Sequence, residues 1–412
     1  MPEIVIGRDQ DDLRKFGSTG TIYIGKHVVG RGEDSHTTTP VLIDVIRPHI
    51  ITLCGKRGSG KSYSMGVFVE EILKLPDDIR SNLCIAMVDT QGIFWTMKTP
   101  VPSGALIREW GMEPAGFGVK VYIPDGQAET FSRAGVSFDG TFSISASQLS
   151  YADWLSAFGI GMNEPMGIVL QKALARLSGN YGIREIIEEI RRIEGFEKEK
   201  LALENTFSAA RHWGIFGEKK MPDILVPGEA SIIDVSLTPQ SVRALLIALV
   251  SRKIFEERTK ARRQEEMGLI EGEMYRKVPM CWLMIDEAHN FIPNDSRTAA
   301  SDPLLRIVKE GRQPGISLIL ATQQPYKLHP DALSQCDLVI AHRLTSRDDI
   351  DSLESIMQNY ILFEIKKYIE ELPKEMGMAV VLDDNSERLY KIKIRPRQSW
   401  HAGSSPTAVY AA

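Results

Sequence analysis

Residues Gly55, Lys56, Arg57, Gly58, Ser59, Gly60, Lys61 and Ser62 read G-x-x-x-x-G-K-S, between the apolar run Ile50 to Cys54 and a helix-compatible stretch from Tyr63 through Leu75. The glycines let backbone N–H groups turn inward onto phosphate oxygens, Lys61 reaches the β and γ phosphates, and the Ser62 hydroxyl can ligate Mg2+. A strand, this loop and a helix starting at the anion form the basic unit of an open α/β sheet. The pattern predicts an ATP and Mg2+ site over Gly55 to Tyr63.

The other half of such a site lies far along the chain, where Met280, Cys281, Trp282, Leu283, Met284 and Ile285 run into Asp286 and Glu287. A continuous apolar run reads as a strand buried on both faces, and carboxylates at its end emerge where ligands bind in open α/β sheets. Asp286 is expected to hold Mg2+, and Glu287 to polarise the attacking water. A third apolar strand, Ile316 to Ala321, ends in Thr322, Gln323, Gln324 and Pro325. Proline stops the strand and leaves an amide at its tip, so Gln323 or Gln324 is expected to sense the γ phosphate.

These segments, in this order, resemble the HerA/FtsK superfamily of P-loop motor ATPases, most closely the HerA branch. Val88 to Phe94, with Asp89 and Gly92, resembles a second-strand segment that reads Asp-x-x-Gly-Glu-Phe in that family. Asp286-Glu287-Ala288-His289 resembles its Walker B extension, and Lys309-Glu310-Gly311-Arg312 with Gly315-Ile316 resembles the helix and sensor strand. Arg395-Pro396-Arg397 through Gly403 looks like a tail that packs against a neighbouring subunit. The resemblance implies a homo-hexameric ring around double-stranded DNA, with Arg312 as an arginine finger or allied charge offered to a neighbour's γ phosphate. The alternative for Arg312 is a surface arginine paired with Glu310 or solvent. His49 stands where the family often carries another basic residue. Family members carry a β-barrel ahead of the ATPase core, and here only residues 1–48 are available for it, so a nuclease or effector partner is left open.

The expected architecture is a mostly parallel sheet with helices on both faces, a P-loop NTPase of the RecA-like type. A small β region spans 1–48, with strands over Thr21 to Val28 and Val41 to Ile46 and a turn from Gly30 through the polar tract to Thr39. The ATPase core takes 49–145 and 214–403, a helical insertion 146–213, and a loose tail 404–412. The insertion's Trp154, Phe158, Phe207 and Trp213 suit packing better than base stacking.

A net charge of −5 rules out a surface coated in positive potential, so DNA contacts must be local. Arg252 to Arg263 is dense but diluted by glutamates, and Arg388 to Arg397 is more one-signed. Four scattered cysteines carry no metal-ligand spacing, and no run of 18 apolar residues is present, which points to a cytoplasmic protein without a membrane span. The function expected is an ATP-driven translocase on duplex DNA. A ring scaffold for an effector, and a secretion or genome-packaging ATPase, are the alternatives.

Overall fold

Short apolar runs rich in Ile, Val and Leu can hide all their side chains only as strands covered on both faces, and this chain builds its centre from them. The computed structural model describes residues 3–30, 35–271, 278–354, 362–373 and 375–403. Its strands are β1 (Ile4–Ile6), β2 (Thr21–Val29), β3 (His36–Asp44), β4 (Ile50–Cys54), β5 (Leu83–Asp89), β6 (Lys120–Pro124), β7 (Gly140–Phe142), β8 (Ala230–Asp234), β9 (Met280–Ile285), β10 (Ile316–Thr322), β11 (Leu338–His342), β12 (Met378–Asp383) and β13 (Arg388–Ile394). They form one sheet in the order β1-β3-β2-β13-β12-β11-β4-β10-β9-β5-β8-β6-β7. From β11 to β7 every pairing is parallel, whereas β11 to β12, β12 to β13, β13 to β2 and β2 to β3 are antiparallel.

Strands β4, β5, β8, β10, β11 and β12 are buried at every position, and two apolar clusters cover the opposite faces of the sheet. The helix Lys61–Leu73 follows β4 and packs on one face with Phe68 beside Trp282. The 32-residue helix Gln240–Glu271 lies on the other with the insertion helices Tyr151–Phe158, Pro165–Leu174, Ile183–Arg191 and Glu197–Ala210. In the third of these, Ile183, Ile186, Ile187 and Ile190 recur at helical spacing and are all buried. Trp154 packs against Phe158, Phe207 and Phe216 at centroid distances of 5.3, 4.9 and 5.6 Å. Trp154 and Phe207 are fully buried, so neither can stack on a base.

The N-terminal strands extend the central sheet through the pairing of β2 with β13, Ile392 opposite His27. The expected turn over Glu33 to Thr39 is corrected in its second half. His36 to Thr39 are in β3, opposite Val29 and Val28 of β2. His36 to Thr38 are exposed and Thr39 is half-buried, and three of the four are threonines, which suit a half-exposed strand, so polarity there marked an exposed strand end and not a turn. Residues 31–34 of the expected turn and the expected loose tail 404–412 lie outside the described residues. All four cysteines are buried and unpaired. No helix among the described residues is long and apolar enough to cross a membrane.

Candidate nucleotide-binding site

Parallel strands deliver their C-terminal ends to one edge of a sheet, so Cys54, Asp286 and Thr322 arrive together. Cys54 pairs with Thr322 across β4 and β10, and Leu320 with Ile285 across β10 and β9. Strand β10 therefore stands between the phosphate-loop strand and the carboxylate strand, as the sensor reading requires. The loop itself is cramped. Gly60 caps the helix Lys61–Leu73 at φ 117°, where L side chains rarely go, and a Cβ there would come within 3.4 Å of the His342 ring. A Cβ on Gly55 would lie 2.6 Å from the His342 Cβ. The glycines thus admit both the turn and a histidine packed beneath it.

His342 was not singled out by sequence, since a lone histidine ending an apolar strand carries no signature. It is fully buried, and burial pushes its pKa down to about 4. A neutral ring donates from Nδ1 to the Met378 carbonyl at 3.0 Å and accepts the Ser64 hydroxyl at Nε2, 2.9 Å away. It fastens the end of β11 to the first turn of the phosphate helix.

Lys61 is buried, with Nζ donating to the Lys56 carbonyl at 3.4 Å. Burial lowers its pKa while Glu287 and Asp286 oppose that drop. Ser62 Oγ donates to Asp286 Oδ2 at 3.2 Å. Burial, and then the charge of Glu287, raise the Asp286 carboxyl to about 7. A hydroxyl and a buried carboxylate facing each other are hard oxygen donors, which fits Mg2+.

Glu287 takes a left-handed backbone, φ 51° and ψ 44°, at a cost of roughly 1 kcal/mol for a non-glycine residue. That twist turns its carboxylate toward β10, where Gln323 Nε2 donates to Oε1. Its Oε2 is buried without a hydrogen-bond partner, and His289 Nδ1 stands 3.6 Å off. Thr322 Oγ1 bonds the same His289 nitrogen at 3.0 Å. Of the two glutamines considered, only Gln323 has a side-chain contact with Glu287. The backbone N–H of Gln324 donates to Thr322 Oγ1 at 3.1 Å. One strand further out, buried Asp89 accepts four backbone N–H groups from Gln91 to Phe94, and burial followed by Asp234 raises it to about 7.

Arg312 is elsewhere. It lies in the turn between the helix Ser301–Glu310 and β10, before the strand, at the opposite edge of the sheet. Six residues of strand, Ile316 to Ala321, separate it from Thr322, roughly 20 Å at about 3.3 Å per residue, so it cannot serve its own chain's site. It is exposed, and its side chain has no hydrogen bond or ion pair among the described residues; Glu310 pairs with Arg306 at 3.2 Å. His49 is also at that edge but buried between Asp44 and Asp337 at 3.1 and 2.5 Å, out of reach of any neighbour.

The C-terminal segment makes its contacts within this chain on the helix Lys61–Leu73. Arg395 and Arg397 are fully buried in their own chain against Glu70 of the helix Lys61–Leu73, whose buried carboxylate they neutralise. Lys391 pairs with Glu371 at 2.7 Å and Lys393 with Glu375, so the one-signed run is largely neutralised in place. In the other basic cluster Arg252 pairs with Asp153 at 2.9 Å, and Arg258 is buried on the Pro314 carbonyl.

Residues 22–254 match the family model described as "Helicase HerA, central domain". A protein of Methanocaldococcus jannaschii named "Probable DNA double-strand break repair helicase HerA" is 32% identical over 120 residues, 29% of this chain and 21% of that protein. The DNA double-strand break repair helicase HerA of Pyrococcus furiosus is 27% identical over 184 residues, 40% of this chain and 31% of that protein. The chain thus matches between a fifth and a third of the length of these relatives. Among solved structures, VirB4 of Thermoanaerobacter pseudethanolicus superposes with a TM-score of 0.58 at 13% identity, covering 92% of this chain and 97% of that one. The bacterial conjugative coupling protein TrwB gives 0.53 at 13% identity, covering 95% and 98%. Both likenesses concern the fold.

Proposed function

The chain belongs to the HerA central-domain family, and from that premise we propose that it is a Mg2+-dependent ATPase that works as a ring-forming motor on double-stranded DNA. The observation that carries the ATPase reading is the meeting of Ser62, Asp286, Glu287 and Gln323 over the Gly55 to Lys61 loop, from segments more than 200 residues apart. Phosphoryl transfer needs little covalent help from a protein beyond a phosphate cradle, an oriented water and late positive charge. The inward N–H groups of the loop, with Lys56, Arg57 and Tyr63 at its margins, receive the phosphates, and Lys61 brings its charge to them. Ser62 and Asp286 would hold Mg2+, which when bound neutralises phosphate charge. Glu287 presents Oε2, its unpartnered oxygen, to the attacking water, while Gln323 restrains Oε1. Arg312, unpaired on the far edge, supplies the late charge to the next subunit.

Duplex DNA as the track is supported by the names of the relatives. The test is steady-state ATP hydrolysis of wild type and Glu287→Gln, with and without duplex DNA, at low and moderate salt. Severalfold, salt-sensitive stimulation lost in the variant is expected. Glu287-dependent hydrolysis indifferent to DNA would overturn the track and leave a secretion ATPase or an effector scaffold. Mixing Arg312→Ala with Lys61→Ala should restore part of the activity, because each supplies what the other lacks. Absence of rescue would remove the shared site.

A further inference from the structure

One face of the phosphate helix is covered by the chain's own C-terminal segment. Tyr63, Gly66 and Glu70 stand at i, i+3 and i+7, a single stripe beginning one residue after Ser62. Three successive backbone amides of the segment donate to it: Arg397 N to Tyr63 Oη at 2.5 Å, Gln398 N to Glu70 Oε2 at 3.1 Å, and Ser399 N to Glu70 Oε1 at 2.9 Å. Ser399 Oγ adds a bond to Glu70 Oε1 at 2.6 Å, and Arg395 Nη2 one to Oε2 at 2.8 Å. Glu70 is fully buried, so both its oxygens are committed to this segment.

Gly66 explains the closeness. A Cβ there would lie 2.6 Å from the Arg397 guanidinium carbon, so the arginine lies flat on bare helix backbone. Its Nη1 meets His401 Nδ1 at 3.1 Å and its Nη2 meets Ser399 Oγ at 2.8 Å. His401, in turn, packs edge-on against the Tyr63 ring at 5.4 Å. Burial, and then the Arg397 charge, push its pKa down to about 4, so the ring is a neutral acceptor for the guanidinium. No free cation or anion remains in the contact, and the strap has no catalytic group of its own. Its reach is to Tyr63, which follows the two side chains that meet phosphate and metal.

We infer that residues 395–401 form a strap that positions the nucleotide site from within the same chain, with Arg397 and Glu70 acting through Tyr63 on the first turn that carries Lys61 and Ser62. The inference rests on the ATP-site reading above. A helix held at i, i+3 and i+7 can shift its first turn onto phosphate only with the strap, so nucleotide binding and strap closure are coupled and the coupling is reciprocal.

Hydrogen exchange on the intact wild-type protein tests this without any risk of misfolding. Saturating Mg2+ and ADP, with occupancy established by calorimetry, should slow exchange of the Arg397, Gln398 and Ser399 amides severalfold, and Lys61→Ala should abolish the slowing. Tyr63→Phe removes only the acceptor of the Arg397 amide. It should raise the ADP dissociation constant about two- to tenfold, the range of one net hydrogen bond, with the unfolding temperature little changed. Bound ADP with unchanged exchange at all three amides overturns the strap while leaving the ATP site standing. No ADP binding to wild type overturns the site reading and the strap with it.

Discussion

Strand β4 has buried charge at both ends, and the two ends differ in how that charge is answered. At the N-terminal end His49 lies between Asp44 and Asp337, and Arg8 Nε donates to Asp44 at 2.9 Å. Arg47 N donates to Asp44 Oδ2, the oxygen that also faces His49, at 3.0 Å, and Ile50 N to the other oxygen of Asp337 at 2.8 Å. Burial works against the imidazolium, yet the two carboxylates outweigh it and raise its pKa to about 9. At the C-terminal end Asp286 and Glu287 are buried near one another, Lys61 is the buried cation of the loop, and Glu287 Oε2 has no hydrogen-bond partner. A buried ionic cluster with every donor and acceptor matched holds a fold in register, whereas a mismatched one stores a demand for charge that a ligand can meet. The same strand thus separates an architectural cluster from the candidate functional one.

That contrast can be broken first at its matched end. Asp44→Ala leaves Arg8 and the His49 ring buried beside an incomplete network, and urea unfolding should show a loss of about 3–5 kcal/mol. At the mismatched end the same kind of change should cost chemistry instead of stability. Glu287→Gln should keep ATP binding but lower the hydrolysis rate about 100-fold, roughly 3 kcal/mol of barrier, with unfolding nearly unchanged. Normal turnover in that variant would remove Glu287 as the water-orienting group.

The pH dependence separates the ends further. Because the His49 pKa is raised from 6.5 to about 9, its contribution is complete below pH 6.5 and is lost as pH rises through 9. Wild type should lose roughly 2–3 kcal/mol across that window, and His49→Gln should show a flat profile there. The smallest effect is expected at Asp286, whose raised pKa means that the fold disfavours its charge. Asp286→Asn should stabilise the ligand-free protein at neutral pH by about 1 kcal/mol while removing any stabilisation by Mg2+ and nucleotide. A destabilised Asp286→Asn would show that this carboxylate is already satisfied by Lys61.

Much of the functional edge was legible in residues, because each part announced itself locally. Gly55 to Ser62 carry a loop chemistry that few other residues can supply, and the apolar runs before Asp286 and Gln323 are long enough to read as buried strands. The misread turn of the N-terminal region has a different origin: His36 to Thr38 are polar because they face water, and polarity alone does not separate an exposed strand from a turn. His342, Ser64, Glu70 and the partner of Arg397 were illegible for a third reason. Each gains meaning only from a partner; His342 and Ser64 are 278 residues apart, and Glu70 and Arg395 are 325 apart.

By itself the sequence determined the class of sheet, the phosphate loop and the two strand tips that face it, since local periodicity and a short motif suffice to specify backbone and chemistry there. Tertiary structure alone decided which of two glutamines touches Glu287, which edge of the sheet Arg312 occupies, and that the C-terminal arginines close onto their own phosphate helix. Those outcomes depend on burial, where an unpaired charge is costly and the partner is whichever group the fold brings within about 3 Å.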